Sequence, residues 1–380
     1  MAGMRSYLDH NATSPLRPEA RAAVLAALDA GGNASSAHAE GRAARALIDE
    51  ARETIAAALG CLPDMVVFTS SGTEANNMAL KGAAAFGIRR LVVSAVEHAS
   101  VLEAAAATGL PVATVPVTGD GRIDLWALDA LLGAEPGPAL VSVMLANNET
   151  GAIMPVAKAS EIAHRHGAYL HSDAVQGLGK VELRWATLGL DMMSVSAHKL
   201  GGPQGAGALV IRDGLGLGPL LHGGGQESKR RAGTENVAAI AGFAAALRAA
   251  EERATEEPGR IEGLRDRLEA ELKAAAPGVA IFAEAGPRLA NTTSFALPGL
   301  EAELALMAFD LVGIAVSSGS ACSSGKISRS HVLDAMGLAP ELVAGGIRVS
   351  LGWNSTGADV ERFAAAWSGI AARFQDRAAA

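Results

Sequence analysis

The chain has 380 residues, of which 49% are hydrophobic, and its formal net charge at pH 7 is −8. This length is sufficient for a large buried core and predicts about two domains, while the acidic balance argues against a general nucleic-acid-binding protein. The sequence has no apolar run long enough to span a bilayer and no apolar signal core at the N-terminus, so we expect a soluble, cytoplasmic protein.

The predicted elements begin with two helical patterns, Pro18–Ala30 and Gly41–Leu59, each followed by a glycine that can end a helix. From Met65 onward, β-rich runs alternate with helical patterns, and the last part of the chain resembles a smaller α+β unit. The alternation predicts a mostly parallel sheet with helices on both faces. The predicted strands of this sheet are Met65–Thr69, Leu91–Ser94, Val112–Pro116, Leu140–Leu145, Tyr169–Ser172, Met192–Ser196 and Ala208–Arg212.

Polar residues recur directly after these strands. In such sheets, ligands bind beyond the carboxyl ends of the strands. Each polar residue has an ordinary structural explanation on its own, but their recurrence at equivalent positions is hard to explain that way. The sequence therefore predicts a binding site formed by His98, Asn148, Asp173, Gln176 and Lys199.

Two of the strand ends indicate specific chemistry. Lys199 follows a strand and precedes a glycine-rich turn, where a desolvated lysine can form a Schiff base, although a solvated loop lysine is the alternative. The run Ser70–Glu74 lies between a strand and a helix. Free N–H groups and the helix dipole favour a phosphate there, although an ordinary cap by Thr73 is the alternative.

An enzyme that uses pyridoxal phosphate needs a lysine, an anion site, an acid facing the pyridine nitrogen and a planar group over the ring. Lys199, Asp173 and His98 fit the lysine, the acid and the planar group. The alternatives are a core histidine and an aspartate that caps a turn. The residues predicted to hold the phosphate are Gly72, Thr73, Ser196 and His198.

The sequence resembles the cysteine desulfurases, the NifS/IscS-like branch of the class V aminotransferases. The motifs follow one another over nearly the whole chain: YLDHNATSPLRPEA, FTSSGTEANN, EHASV, NNETG, HSDAVQ, SVSAHKLGGPQGAG, HGGGQESKRRAGTEN, SSGSACSSG and IRVSLG. The resemblance implies the α/β architecture of pyridoxal phosphate enzymes of fold type I, with a smaller α+β C-terminal domain. We predict a large cofactor-binding domain of residues 16–256 and a small domain of residues 1–15 and 257–380.

The resemblance also implies roles for the cofactor residues. Lys199 carries pyridoxal phosphate covalently, Asp173 faces the ring nitrogen, Gln176 the phenolic oxygen, and His98 stacks on the ring. Asn148 is also implied to be a cofactor-binding residue. In this family a threonine of the partner subunit reaches the phosphate; the matching residue is Thr234, which implies a homodimer with shared active sites.

Arg348 is implied to bind the carboxylate of the substrate, because an arginine grips a carboxylate with two parallel hydrogen bonds. The resemblance implies that Asn148 and Asn33 also contribute to binding this carboxylate. No metal site is predicted, since the histidines at 164, 166 and 171 have no cysteine or carboxylate cluster beside them.

The two cysteines, Cys61 and Cys322, lie far apart and do not resemble the framework of a secreted disulfide-rich protein. Cys61 lies among apolar residues and is interpreted as structural. Cys322 lies in a polar, glycine-rich run, SSGSACSSG. Together with the resemblance, this context predicts a nucleophile on a mobile loop.

The implied reaction converts L-cysteine to L-alanine and a persulfide on Cys322. Lys199 removes the Cα proton, and His98 carries a proton at the thiol. The sulfur would pass to an acceptor protein for iron–sulfur cluster assembly or tRNA thiolation. The alternatives are a selenocysteine lyase or another class V enzyme, and a non-catalytic sulfur-delivery scaffold subunit.

Overall fold

The computed structural model describes residues 5–319 and 329–379, except for the side chains of residues 375–379. The helices are Pro18–Ala30 (α1), Ala39–Leu59 (α2), Gly72–Gly82 (α3), Ala99–Ala106 (α4), Leu125–Ala134 (α5), Val156–Arg165 (α6), Trp185–Leu188 (α7), Val237–Glu252 (α8), Glu257–Ala275 (α9), Ala302–Leu311 (α10), His331–Ala335 (α11), Pro340–Ala344 (α12) and Gly357–Ala379 (α13). The strands are Ser6–Tyr7 (β1), Val66–Thr69 (β2), Arg90–Ser94 (β3), Val112–Val115 (β4), Ala139–Ser142 (β5), Tyr169–Asp173 (β6), Met192–Ser196 (β7), Gly207–Ile211 (β8), Ala280–Ile281 (β9), Thr292–Ala296 (β10), Ile314–Ala315 (β11), Ser317–Ser318 (β12) and Ile347–Ser350 (β13).

A seven-stranded sheet forms the centre of the fold, with the strand order β2-β8-β7-β6-β5-β3-β4. Strand β8 pairs antiparallel with both β2 and β7, and the remaining pairs are parallel. The predicted mostly parallel sheet is therefore confirmed, with one reversed strand near its edge.

Alternate residues of each central strand face opposite layers of helices. On β3, Val92 belongs to the same buried cluster as Ile48 of α2 and Phe243 of α8. Its neighbours Leu91 and Val93 belong to a second cluster, with residues of α3 and α4. This alternation follows from the two-residue period of a strand, and it confirms the prediction of helices on both faces.

A four-stranded antiparallel sheet of order β12-β13-β10-β9 lies in the C-terminal part of the chain. Its separate core includes Phe309 stacked on Phe363 at 5.1 Å, and Phe295 edge-on to Trp367 at 5.2 Å. Burying each such side chain contributes roughly 1.5–3 kcal/mol. Strand β1 pairs in parallel with β11, so the N-terminal segment packs with this unit. The residue boundaries of the two domains stay a prediction.

Several short elements were not predicted, among them α7, α11 and α12. Each spans four or five residues, too few for a helical period to show in the pattern. In the part of the chain that the structure describes, no helix combines the length and apolarity needed to cross a bilayer.

Candidate functional site

A cavity of about 220 Å³ lies at the carboxyl ends of the parallel strands. The structure brings together there every predicted cofactor residue except Thr234, namely Gly72, Thr73, His98, Asn148, Asp173, Gln176, Ser196, His198 and Lys199. This grouping follows from the sheet topology, since the side chains come from the ends of β2, β3, β5, β6 and β7.

A larger cavity of about 380 Å³ adjoins the first one, and Lys199 and Lys180 line it. Lys199 is the one predicted cofactor residue on its wall, and most of its other lining side chains are apolar. The smaller cavity is therefore the candidate active site.

The first turn of α3 forms one wall of the cavity. Ser71 caps this helix, because its Oγ accepts a hydrogen bond from the Glu74 N–H at 3.2 Å. The cap is thus Ser71 rather than Thr73. The N–H groups of Gly72 and Thr73 lie in the turn that lacks partners within the helix, and they can bind a phosphate. A Cβ at Gly72 would lie 2.6 Å from Val175 Cγ2, so glycine is needed for this close approach.

Asp173 is the buried carboxylate of the site, with 5% of its surface exposed. Its Oδ1 accepts from the Val175 N–H at 3.0 Å, and its Oδ2 accepts from Asn76 Nδ2 at 2.7 Å. Asn76 Nδ2 also donates to Ser100 Oγ at 2.9 Å, and Ser100 Oγ lies 2.8 Å from His98 Nδ1. A hydrogen-bonded chain therefore links Asp173 to His98.

This chain fixes the histidine ring. The Ser100 N–H also donates to His98 Nδ1, at 3.1 Å. Because Nδ1 accepts hydrogen bonds from Ser100, a neutral His98 ring carries its proton on Nε2. Asn76 and Ser100 were not predicted as site residues, since they lie within helical patterns where a polar residue is unremarkable.

Lys199 ends a three-residue turn that directly follows β7. Its Nζ donates to the backbone oxygens of Asn11 and Ala12, both at 2.7 Å. The oxygen of Asn11 also accepts from Gln176 Nε2 at 2.9 Å. Asn11 lines the cavity but was not predicted; the only signal was its position in the motif YLDHNATSP.

Two histidines, one in the cavity wall and one behind it, are held neutral. Burial, together with the neighbouring Lys199 and Lys180, lowers the pKa of His198 to about 4. Burial likewise lowers the pKa of His171 to about 4. His171 is bonded to serine hydroxyls on both sides and lies behind the cavity, which accounts for it as a core residue.

Glu97 precedes His98 and is fully buried, and its Oε1 accepts from the Met144 N–H. Burial, together with the nearby Asp173, raises the pKa of Glu97 well above its ordinary value of 4.5. A carboxyl group with a raised folded-state pKa is protonated in the folded protein at a pH where the unfolded chain has lost the proton. Stability therefore falls as pH rises through this window.

We expect Glu97→Gln to remove this loss of stability, because glutamine stays neutral. The unfolding free energy of the variant relative to that of the native protein should rise by about 1.4 kcal/mol per pH unit above pH 4.5, up to the folded-state pKa of Glu97. Denaturant unfolding of both proteins at pH 5.5 and 7.5 measures this difference in unfolding free energy. Glu103→Gln on the exposed face of α4 is the control. Parallel pH profiles of Glu97→Gln and the native protein would contradict the assignment.

Arg348 lies on β13, next to the cavity rather than in its wall. It is 1% exposed; its Nη2 donates to Asp9 Oδ1 at 2.7 Å, and its Nη1 to the backbone oxygen of Asn148 at 3.0 Å. Nε has no hydrogen-bond partner among the described residues. The guanidinium thus touches the cavity through Asn148, and its role toward a substrate stays a prediction.

Asn33 and Thr234 do not line the cavity within the described residues. Both are exposed, and Asn33 Oδ1 accepts a local hydrogen bond from the Ser35 N–H at 2.9 Å. The predicted role of Thr234 concerns a neighbouring subunit, so its place outside the cavity of its own chain does not bear on that role.

The loop that leads to Thr234 has an unusual backbone. Glu227, Ser228 and Lys229 have positive φ angles of 45°, 56° and 65°. Such conformations cost roughly 1–3 kcal/mol each. Both carboxylate oxygens of the buried Glu227 bind the half-buried Arg52, at 2.8 and 2.9 Å, and this pair holds the loop in place.

The two cysteines differ in what the structure describes. Burial raises the pKa of Cys61 to about 11, and its side chain packs against the core. A thiol held protonated in this way favours the structural interpretation. Cys322 lies outside the described residues.

The donor set of the cavity fits pyridoxal phosphate. It provides an amine on Lys199, a buried carboxylate on Asp173, a ring at His98 and the N-terminus of α3 for a phosphate. The hydrogen bonds to Asp173 come from an amide and a backbone N–H, so both of its carboxylate oxygens are held in place.

Comparison with known proteins gives one family. The model of the family described as Aminotransferase class-V matches residues 6–363. The chain is 42% identical to an IscS-like cysteine desulfurase of Mycobacterium tuberculosis, covering 97% of this chain and 96% of that protein. It is 43% identical to a cysteine desulfurase of Cereibacter sphaeroides, over 94% of this chain and 93% of the relative. A solved NifS-like protein from Rickettsia africae superposes with a TM-score of 0.90 at 37% identity, covering 97% of this chain and 99% of that structure.

Proposed function

This chain belongs to the class-V aminotransferase family, and we infer from this premise that it is a pyridoxal phosphate-dependent cysteine desulfurase. The reaction takes sulfur from L-cysteine and releases L-alanine. The observation that carries the inference is the convergence of Lys199, Asp173 and the N-terminus of α3 on one cavity, in a chain whose full-length relatives are cysteine desulfurases.

The residues that would hold the cofactor are those that line the cavity. Lys199 would bind it covalently, Asp173 would hold a proton on the pyridine nitrogen, and Gln176 would donate to the phenolic oxygen. The phosphate would lie against Gly72 and Thr73, with Ser196 and His198 beside it. When bound, pyridoxal phosphate withdraws electrons from the α-carbon of the substrate.

The remaining steps belong to side chains of this protein. Arg348 and Asn148 bind and orient the substrate carboxylate. Lys199 takes the proton from the α-carbon. His98, positioned by Ser100, moves a proton at the substrate thiol.

Cys322 takes the sulfur. Its thiolate attacks the sulfur of L-cysteine, so that an S–S bond forms while the substrate C–S bond breaks. The electron pair of the broken bond stays with carbon, which is protonated to give alanine. A thiol reductant then releases the persulfide sulfur as sulfide.

Incubation of the purified protein with L-cysteine and a thiol reductant tests this function. We expect alanine and sulfide in equal amounts. The competing class-V reaction is amino transfer, which requires a keto acid and produces no sulfide. Keto-acid-dependent loss of the amino group, with no sulfide formed, would replace the proposal with an aminotransferase. Selenocysteine as the only accepted substrate would replace it with a selenocysteine lyase.

We further propose a homodimer in which Thr234 of one subunit reaches the phosphate in the other. The exposure of Thr234 at the end of a loop pinned by the Glu227–Arg52 pair supports this arrangement. Light scattering would give the mass of the particle. A monomer with full activity would contradict it.

The sulfur acceptor is proposed by class: an iron–sulfur scaffold protein or a sulfur carrier for tRNA thiolation. The similarity to IscS-like and NifS-like proteins supports a sulfur-transfer partner. Transfer of labelled sulfur from the enzyme to a purified candidate of each class separates the two.

For the substrate carboxylate we expect Arg348→Lys to raise KM for L-cysteine by about 10- to 100-fold, with a smaller effect on kcat. Lysine keeps the charge but loses the planar fork that binds a carboxylate with two hydrogen bonds. The control is Arg288→Lys, which alters another buried arginine pair, with Glu269. Equal KM values for both variants and the native protein would remove Arg348 from the substrate site.

A further inference from the structure

The side chain of Lys180 reaches back toward the cavity from the turn after β6. Its Nζ donates to Gln176 Oε1 at 2.7 Å and to Asn11 Oδ1 at 3.0 Å. Part of the side chain is exposed, but both acceptors are buried, at 4% and 1% exposure for Gln176 and Asn11. Lys180 lines the adjoining larger cavity but not the cavity that Gln176 lines.

These contacts fix the orientation of the Gln176 amide. Since Oε1 accepts from Lys180, the NH₂ group points the other way, and one of its N–H bonds goes to the backbone oxygen of Asn11 at 2.9 Å. An amide nitrogen has two N–H donors. The second one is the donor that Gln176 can present to a ligand in the cavity.

The acceptor on Asn11 is fixed as well. Asn11 Oδ1 also accepts from Asn291 Nδ2 at 3.0 Å, while Asn11 Nδ2 donates to Thr292 Oγ1 at 2.9 Å and to the Asn148 oxygen at 3.2 Å. This network reaches from the N-terminal segment to β10. Lys180 is thus held by two amides that cannot turn without breaking other hydrogen bonds.

The charges around Lys180 are positive. Burial lowers the pKa of the Lys180 amine well below its ordinary value, and the neighbouring cations Lys199 and Arg348 lower it further. In the described part of the chain no carboxylate forms an ion pair with Lys180. A neutral amine still has two N–H bonds for the same two acceptors, so the geometry holds in either protonation state.

We propose that Lys180 is a positioning residue, which polarises the Gln176 amide and so strengthens the hydrogen bond that Gln176 donates to the phenolic oxygen of pyridoxal phosphate. The inference rests on the proposed function, which assigns that oxygen to Gln176. A donor to the phenolic oxygen stabilises a negative charge on that oxygen. It therefore favours the form of the bound cofactor in which the Lys199 nitrogen that links it to the protein has lost its proton. Without Lys180 this donor weakens.

The test is a pH titration of the visible absorbance of the bound cofactor. Lys180→Met should raise the midpoint pH of this titration by about 0.5 to 1 pH unit, because the negative phenolic oxygen is less well stabilised. Lys158→Met changes a lysine on the exposed face of α6 and should leave the midpoint unchanged. Methionine is close to lysine in length and lacks donors.

A double-mutant cycle tests whether Lys180 acts through Gln176. Gln176→Ala should raise the midpoint by itself, and adding Lys180→Met to it should change the midpoint little further. An equal Lys180→Met shift with and without Gln176 would show a direct charge effect and overturn the inference. A midpoint that shifts in Gln176→Ala but not in Lys180→Met would also overturn it. If Lys180→Met fails to fold, Lys180→Leu, which also lacks donors, carries the same expectation.

The outcomes also separate this inference from the proposed function. If the native protein binds pyridoxal phosphate without any characteristic absorbance, or does not bind it, the proposed function fails. If it binds the cofactor but Gln176→Ala leaves the midpoint unchanged, the assignment of Gln176 to the phenolic oxygen is wrong, and the role of Lys180 falls with it.

Discussion

Replacement of Lys199 by alanine should abolish covalent attachment of the cofactor and lower turnover by at least about 10⁴-fold. Lys199 supplies two functions, the covalent bond to the cofactor and removal of the α-proton, and alanine supplies neither. The structure supports this expectation because Lys199 Nζ is held at the cavity by the backbone oxygens of Asn11 and Ala12.

Borohydride reduction followed by peptide mass spectrometry measures the attachment directly. In the native protein the pyridoxyl group should be found on the peptide that contains Lys199. Lys158→Met is the matched control, since it removes an exposed lysine far from the cavity, and it should keep the adduct and full turnover.

Lys180 makes this experiment more demanding. Its amine and that of Lys199 both bind Asn11, so Lys180 is a substitute nucleophile that the experiment must distinguish from Lys199. We expect no turnover in Lys199→Ala even if Lys180 becomes labelled, because Lys180 does not line the candidate active site. Undiminished turnover with an adduct on Lys180 would overturn the assignment of Lys199.

The central part of the fold could be predicted because its signals are local. Helix α1 has the predicted bounds, Pro18–Ala30, since a proline begins it and a glycine follows it. Each strand of the large sheet was predicted from a short apolar run. Once the strands are parallel, the polar residues that follow them must meet at one edge, so the grouping at the cavity was predicted as well.

What could not be predicted depends on contacts between distant parts of the chain. Asn11 receives hydrogen bonds from Gln176, Lys180 and Lys199, which are more than 160 residues away. No period or spacing encodes such a contact. It arises because β1 brings the N-terminal segment across to the C-terminal unit, and that pairing involves only two residues of each strand.

The hydrogen bonds that connect Asp173 to His98 could not be predicted for a different reason. Asn76 and Ser100 lie in helices α3 and α4, where their hydrogen bonds to Asp173 and toward His98 depend on how these helices pack. A sequence pattern gives the face of a helix but not its rotation to within a hydrogen bond. Residues that orient catalytic groups are therefore harder to predict than the groups themselves.

The segment with Cys322 is bracketed by residues that the structure describes. On its N-terminal side, Ser317 of β12 pairs with Arg348 and its hydroxyl donates to Asp9 Oδ2 at 2.8 Å. On its C-terminal side, the hydroxyl of Ser330 donates to Glu149 Oε2. Both flanks thus lie beside residues of the proposed substrate site, Arg348 and the NNETG motif, which agrees with a role for Cys322 there.

Replacement of Cys322 by alanine should therefore lower sulfide formation by at least about 10³-fold while the cofactor absorbance is retained, because the nucleophile that takes the sulfur is lost and the cofactor residues are intact. The measurement is alanine and sulfide from L-cysteine with a thiol reductant, together with intact-mass detection of one added sulfur atom after a single turnover without reductant. Cys61→Ala is the matched control: it removes the other thiol of the chain, whose raised pKa makes it a poor nucleophile, and it should keep the full rate and the added sulfur. Unchanged turnover in Cys322→Ala, or sulfur found on Cys61 in the native protein, would remove Cys322 from the reaction.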